Sequence, residues 1–145
     1  MQAIPVRRLR PYAKLPTYGS DGAAGADLYA CLEAPVTVSP GETVFIPTGL
    51  SMEIPIGFVG LIYARSGLAC KKDLAPANKV GVIDCDYRGE FIVALHNHGS
   101  CSQTVAGGDR IAQLLITPVF TPTYVETDTL SETERASGGF GSTGK

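Results

Sequence analysis

The stretch Gly81-Val82-Ile83-Asp84-Cys85-Asp86-Tyr87-Arg88-Gly89-Glu90 gathers side chains that serve chemistry better than they serve a core. Apolar Val82 and Ile83 run into an acidic pair, an aromatic ring, an arginine and a glycine, and Phe91-Ile92-Val93-Ala94-Leu95 then resumes the apolar pattern. β-Branched and aromatic residues favour strands, and Asp with Gly marks a connection, so the stretch predicts strand, turn, strand, closed as a hairpin. The same residues also suit an ordinary solvated turn. A second set follows Tyr63-Ala64-Arg65, where Ser66-Gly67-Leu68-Ala69-Cys70-Lys71-Lys72-Asp73-Leu74 predicts a short helix with Ser66 as N-cap and the lysines near its end. Free backbone N–H groups at its start, beside the Arg65 guanidinium, make an anion cradle, although an N-cap next to a surface arginine looks the same. His96-Asn97-His98 places both rings on one face of a strand, as two metal ligands or as a polar edge near a turn. The last residues, 135 to 145, are mostly Gly, Ser and Thr around a single ring, Phe140. Such a segment does not fold on its own contacts, but the ring suits stacking on a planar group while backbone N–H groups wrap polar oxygens. The spacing Gly-x4-Gly-Lys-Ser/Thr of a Walker loop is not met.

The elements that must position these residues are short. Turn signals recur at Gly19-Ser20-Asp21-Gly22, Ser39-Pro40-Gly41, Pro47-Thr48-Gly49, Pro55-Ile56-Gly57, Pro76-Ala77-Asn78, Asn97-His98-Gly99 and Gly107-Gly108-Asp109. Between them lie strand candidates at Val36–Val38, Thr43–Ile46, Leu50–Ile54, Phe58–Tyr63, Phe91–Leu95 and Ile111–Ile116, and no long stretch has helical spacing. That pattern predicts an all-β sandwich, jelly roll or small barrel. Phe58–Tyr63 and Ile111–Ile116 are apolar on both faces, which predicts a second cover supplied by another subunit.

Composition narrows the function classes. At 145 residues the chain is one domain's length, and a net charge of −2 gives no electrostatic reason for a duplex nucleic-acid or anionic-membrane partner. Any phosphate must therefore be held by a local site. The opening Met1-Gln2-Ala3-Ile4-Pro5-Val6-Arg7-Arg8 lacks the apolar region of a signal peptide, and no run reaches the length of a membrane span, so a cytoplasmic location is expected. Cys31, Cys70, Cys85 and Cys101 are scattered without a Cys-x-x-Cys pair, which predicts free thiols and indicates neither a zinc site nor a redox motif.

Five segments, in order, resemble the trimeric deoxyuridine triphosphate nucleotidohydrolases (dUTPases): Ala23-Ala24-Gly25-Ala26-Asp27-Leu28-Tyr29, Ala64-Arg65-Ser66-Gly67-Leu68-Ala69, Gly81 to Gly89, Gly108-Asp109-Arg110-Ile111-Ala112-Gln113-Leu114, and Arg135 to Gly144. The family usually has an aromatic where Ala26 stands and a proline where Ala64 stands; neither exchange removes a chemical group. The resemblance implies a distorted jelly-roll or β-barrel of short strands with one short helix over residues 1–134. It also implies a homotrimer whose sites each draw on three subunits, and a flexible C-terminal arm, 135–145, closing over the active site.

It further implies hydrolysis of dUTP to dUMP and pyrophosphate, which keeps uracil out of DNA and supplies dUMP for thymidylate synthesis. Asp84 matches the aspartate that orients the attacking water on the α-phosphorus, a task suited to a carboxylate that accepts the water's proton. Tyr87 matches the ring under the deoxyribose that leaves no space for a 2′-OH. Asn78 matches the position reading the uracil edge, with main-chain groups from Asn78 through Gly81 to Tyr87 holding the base. Arg65, Ser66, Gly67 and Gln113 correspond to phosphate contacts. Asp27 resembles the acid that fixes waters around a Mg²⁺ held mainly by the substrate phosphates. Arg135, Phe140, Gly141, Ser142 and Thr143 match the arm, with the ring over uracil and the rest on the γ-phosphate.

Two other readings remain at this point. The related dCTP deaminases share the fold and need a glutamate beside the base-binding hairpin, for which Glu90 is the nearest. A β-trimer used purely for assembly or regulation needs neither Asp84 nor the arm.

Overall fold

The structure is a computed structural model and describes residues 3–139. Twelve short strands and one helix follow in the order β1 (Val6–Arg8), β2 (Thr17–Tyr18), β3 (Ala26–Tyr29), β4 (Val36–Val38), β5 (Thr43–Pro47), β6 (Leu50–Met52), β7 (Phe58–Tyr63), α1 (Ser66–Lys72), β8 (Leu74–Pro76), β9 (Gly81–Ile83), β10 (Ile92–Asn97), β11 (Gln103–Val105) and β12 (Arg110–Pro118). All pairings are antiparallel. The expected mostly-β architecture with one short helix is therefore present. The expected barrel is not: among the described residues the strands form four open sheets, ordered β1-β6, β5-β10-β8, β11-β4 and β2-β3-β12-β7-β9. Frequent Pro and Gly breaks cut the strands short, so each segment finds a different partner before any ring can close.

The core lies between these sheets. Leu28, Val38, Ile46, Leu50, Ile54, Leu74, Phe91, Leu95, Val105 and Ile111 are buried there almost completely. Along β12, Ile111, Ala112 and Leu114 are buried while Gln113, Leu115 and Ile116 are half-buried; along β7, Val59, Gly60 and Ile62 are buried and Phe58, Leu61 and Tyr63 are half-open. The second face of these two strands is thus only partly covered within one chain.

The predicted hairpin is corrected by the pairing. β9 bonds to β7, with Gly81 opposite Ile62, whereas β10 bonds to β5 and β8. The connection from Asp84 to Phe91 therefore crosses between two sheets. Phe91 drives this: its ring is fully buried, its N–H donates to the Leu50 carbonyl at 2.8 Å, and its own carbonyl accepts from the Thr48 hydroxyl at 2.6 Å. Burying that ring contributes about 2 to 3 kcal/mol, more than a local turn preference. The adjoining Gly49 sits at φ +69°, and an added Cβ would lie 2.6 Å from the Cys31 sulfur, so both backbone and space require glycine.

The helix differs from expectation at its start. Arg65, not Ser66, occupies the cap position (φ −86°, ψ 129°), without a side-chain cap bond. Its carbonyl accepts from Leu68 and Ala69 N–H at 3.0 and 2.9 Å, which begins the helix one residue earlier than a serine cap would. Lys71 and Lys72 fall in the last turn as predicted, and Asp73 ends the helix in the left-handed region at φ 53°.

Candidate active site

The sequence-predicted residues fall into two groups on one sheet. The first lies around the connection after β9. A cavity of about 330 Å³ is walled by Phe45, Ile62, Asn78, Gly81, Val82 and Ile92 among others. A smaller one of about 190 Å³ is walled by Val82, Ile83, Asp84, Tyr87, Glu90 and Ile92. The two share Val82, Ile83 and Ile92, so an apolar strip joins the space beside Asn78 and Gly81 to the space beside Asp84 and Tyr87. A Cβ at Gly81 would stand 3.2 Å from that of Ile62, so glycine lets the strand lie close beneath Asn78.

The loop between these strands is fixed by its own polar groups. Tyr87 N–H donates to the Asp84 carbonyl at 3.2 Å, and the Tyr87 hydroxyl donates to the Glu90 carbonyl at 3.0 Å. Arg88 donates to the carbonyls of Cys85 and Tyr87 at 2.7 and 3.0 Å, and the Ser51 hydroxyl donates to the Arg88 carbonyl at 2.7 Å. The Tyr87 ring stays exposed over the cavity, tilted 37° against Phe91 with centroids 6.2 Å apart. An added Cβ at Gly89 would lie 2.3 Å from the Tyr87 hydroxyl oxygen, so glycine is what admits this ring position. Asp84 takes part in none of the ion pairs formed among the described residues and faces the cavity with its carboxylate unpaired.

Glu90 anchors the loop from below. One carboxylate oxygen accepts from Arg10 Nη1 at 2.5 Å and from Gly49 N–H at 2.8 Å. That hydrogen bond holds the Arg10 guanidinium above its ordinary pKa, against the opposing effect of desolvation. Arg10 had no signal in the sequence, because its partner stands 80 positions away. Glu90→Ala strands a backbone N–H and a guanidinium and is expected to lower stability by about 1 to 3 kcal/mol. Thermal denaturation checks this; an unchanged melting temperature would show that the contact contributes nothing.

The second group is electrostatic. Asp27 on β3 lies opposite Gln113 on β12, and Gln113 lies opposite Tyr63 at the end of β7. One Asp27 oxygen accepts from Arg65 Nε at 2.6 Å and the other from Arg110 Nη1 at 3.2 Å. Gln113 donates to the Ala64 carbonyl at 2.8 Å, so the amide holds the residue just before Arg65. Ser66 and Gly67 open the helix beside them, exposed. A cavity of about 300 Å³ is lined by Arg65, Gly67, Lys71, Lys72 and Arg110 among others, with Asp109 the one carboxylate, so its charge is predominantly cationic and suited to oxyanions. Arg110 was missed as a site residue. A register shift in β12 between Arg110 and Ala112 turns it toward Asp27, which plain alternation does not anticipate.

As to a metal, no group of three or more His, Cys, Asp and Glu among the described residues is arranged to enclose one. Asp27 supplies a single partly buried carboxylate, already engaged by two guanidinium groups. That donor set fits a hard cation that keeps most of its ligands as water and phosphate oxygens, and does not fit an all-protein cage.

The two groups are apart within the chain. The cavities beside Asp84 and beside Arg65 share no lining residue, and β9 is separated from β3 by β7 and β12, about 14 Å at ordinary strand spacing. Arg135 is exposed, its Nε donates to the Gly138 carbonyl at 2.9 Å, and it lines none of these cavities. Phe140, Gly141, Ser142 and Thr143 lie outside the described residues.

The fold and these two groups describe a mostly-β protein with a cationic oxyanion cavity and a separate loop presenting a carboxylate and a tyrosine. The sequence matches the family model of dUTPase over residues 11–144, and the chain belongs to that family. It is 55% identical over 132 residues to the deoxyuridine 5′-triphosphate nucleotidohydrolase of Desulfitobacterium hafniense, covering 90% of this chain and 87% of that one. It is 47% identical over 141 residues to the enzyme of the same name from Syntrophotalea carbinolica, covering 97% and 96%. Among solved structures, the dUTPase of Staphylococcus bacteriophage 80alpha with dUPNHPP is similar over the full length of both chains at 28% identity, with a TM-score of 0.91. A mutant dUTPase from phage phi11 of S. aureus, described as revealing the coordination of a structural Mg(II) ion, is 25% identical with a TM-score of 0.80, covering 88% of this chain and 98% of that one. Among the described residues no helix is long and apolar enough to cross a membrane.

Proposed function

We propose that this chain hydrolyses dUTP to dUMP and pyrophosphate, with Asp84 orienting and deprotonating the water that attacks the α-phosphorus. The observation that carries the reading is the apolar strip shared by the two loop cavities. It puts a planar-base-sized space, edged by Asn78 and Gly81, next to a carboxylate and a tyrosine on one wall. A base lying against Val82 and Ile92 sets its sugar against Tyr87 and its α-phosphate toward Asp84. Arg65, Ser66, Gly67 and Gln113 then hold phosphate oxygens in the cationic cavity, and Arg135 with Phe140, Gly141, Ser142 and Thr143 closes over the nucleotide. A Mg²⁺ bound there would neutralise phosphate charge, and Asp27, with the arginines turned to the phosphates, would hold its waters.

The separation of the two groups supports a homotrimer in which the Asp84 loop of one subunit meets the Arg65 cavity of another. Phe120, Tyr124, Val125 and Leu130 are each at least 80% exposed in the single chain, which supports the same assembly. Pyrophosphate release from dUTP, compared with ammonia release from dCTP, is the decisive assay. The deaminase reading is disfavoured because the Glu90 carboxylate is committed to Arg10 and Gly49. Sedimentation of a fully active monomer would contradict the shared site.

Sugar selection has its own test. Tyr87→Ala is expected to lower the dUTP rate while raising UTP hydrolysis relative to dUTP, because the ring that fills the 2′ position is gone. Unchanged discrimination in kcat/KM would leave Tyr87 as a packing residue of the loop.

A further inference from the structure

His96 and His98 stand outside both groups of the proposed site. The rings project from alternate positions at the end of β10, with centroids 4.4 Å apart and planes at 63°. His96 is half-buried and His98 is exposed. The residue between them is pinned: Asn97 is fully buried, its amide donates to the carbonyls of Val38 and Cys101 at 2.9 and 2.8 Å, and its own oxygen accepts from Gly99 N–H at 2.9 Å. His98 N–H donates to the Asp73 carbonyl at 2.8 Å, which fixes the strand end from the other side. The backbone that carries both rings is therefore set by buried bonds and not by the rings themselves.

His96 Nδ1 lies 2.8 Å from the Thr43 hydroxyl on the adjoining strand. With Nδ1–H donating to that oxygen, the Nε2 lone pair points away and is free to ligate, the outer-partner arrangement that fixes a ligand tautomer. Two imidazole nitrogens on one tetrahedral ion stand about 3.3 Å apart for metal–nitrogen bonds of about 2.0 Å. Rings with 4.4 Å between centroids are close enough to share one ion.

We infer that His96 and His98 form an open two-nitrogen chelate for a borderline divalent cation such as Zn²⁺ or Ni²⁺, with water filling the remaining positions. It is chemically distinct from the Mg²⁺ expected with the nucleotide, because imidazole pairs selectively with zinc, nickel and copper while magnesium prefers oxygen.

Calorimetric titration of the full chain with Zn²⁺ tests this, with the nucleotide absent. Binding is expected at one ion per chain or fewer, undisturbed by excess Mg²⁺. His96→Ala and His98→Ala are each expected to weaken it by at least about tenfold, and Thr43→Val, which keeps both rings, by about tenfold as an outer-partner loss. Each variant's melting temperature without metal checks that the fold is intact. No Zn²⁺ binding by the parent chain would overturn the site. So would an affinity unchanged in both histidine variants but abolished by alkylating the exposed Cys70 and Cys101, since the ion would then belong to thiols.

Discussion

Replacing Asp84 by asparagine is expected to lower dUTP turnover by at least about a hundredfold while leaving dUTP binding nearly unchanged, the pattern of a lost general base. The carboxamide has the shape of the carboxylate but accepts no proton. The loop itself does not depend on that side chain: its turn is closed through the Asp84 main-chain carbonyl, and the carboxylate enters no ion pair among the described residues. Stability should therefore be retained, which separates this role from that of a turn-capping residue, whose loss would lower the melting temperature. Rapid-quench measurement of dUMP formation, alongside equilibrium binding of a non-hydrolysable analogue, reads the two quantities independently. Near-normal turnover in the asparagine variant would remove Asp84 from the mechanism and make Asp86, two positions on in the same loop, the next residue to test.

Much of the strand inventory was legible because turn residues bracket the longer apolar runs. Phe58–Tyr63 and Val36–Val38 are strands with the bounds the sequence suggests, and Thr43–Ile46 extends by one residue to Pro47. Val6–Arg8, Thr17–Tyr18, Ala26–Tyr29, Leu74–Pro76 and Gln103–Val105 were not found. Two to four residues carry too little alternation to register, and their pairing comes from partners elsewhere in the chain. The misread hairpin has the same origin. Gly81–Ile83 and Ile92–Asn97 both have strand propensity, but only the burial of Phe91 against the turn after β5 decides that they join different sheets.

The site was legible as chemistry and not as space. The segments bearing Asp27, Arg65, Asn78, Asp84, Tyr87 and Gln113 could be picked out one by one, and the strand register then brings Asp27, Gln113 and Arg65 together. That register also carries the Asp84 loop to the far edge of the same sheet, a result that depends on strand order and so on contacts no local pattern encodes. Arg10 and Arg110 illustrate the two ways a residue stays hidden. One is recruited across the whole fold by Glu90, and the other is turned into place by a one-residue register shift.

A chain ending at Glu134 is expected to fold with an unchanged melting temperature and assembly state, to bind dUTP weakly, and to lose most of its turnover. The first half of that expectation follows from packing. Residues 120–134 are exposed throughout, and Arg135 to Gly139 makes bonds chiefly within its own turn, where Arg135 donates through Nε to the Gly138 carbonyl and Gly138 N–H returns to the Arg135 carbonyl at 2.9 Å. Among the described residues the core includes none of Arg135 to Gly139, so removing them uncovers little apolar surface. The apolar residues offered for assembly, Phe120, Tyr124, Val125 and Leu130, all precede the cut. The second half follows from chemistry. Removal takes away the only ring in the arm, the Arg135 guanidinium and the hydroxyls of Ser142 and Thr143, the groups assigned to the base and the terminal phosphate. In the proposed reading, closure over the nucleotide would exclude water from the phosphates and align them for in-line attack, so its loss would act on turnover more than on the body of the protein. Phe140→Ala should do part of the same damage. A non-hydrolysable dUTP analogue with Mg²⁺ should protect the peptide bonds after Glu134 from proteolysis in the full chain. Full-rate hydrolysis by the shortened chain, or cleavage of the arm unchanged by the analogue, would show that residues 135 to 145 take no part in catalysis.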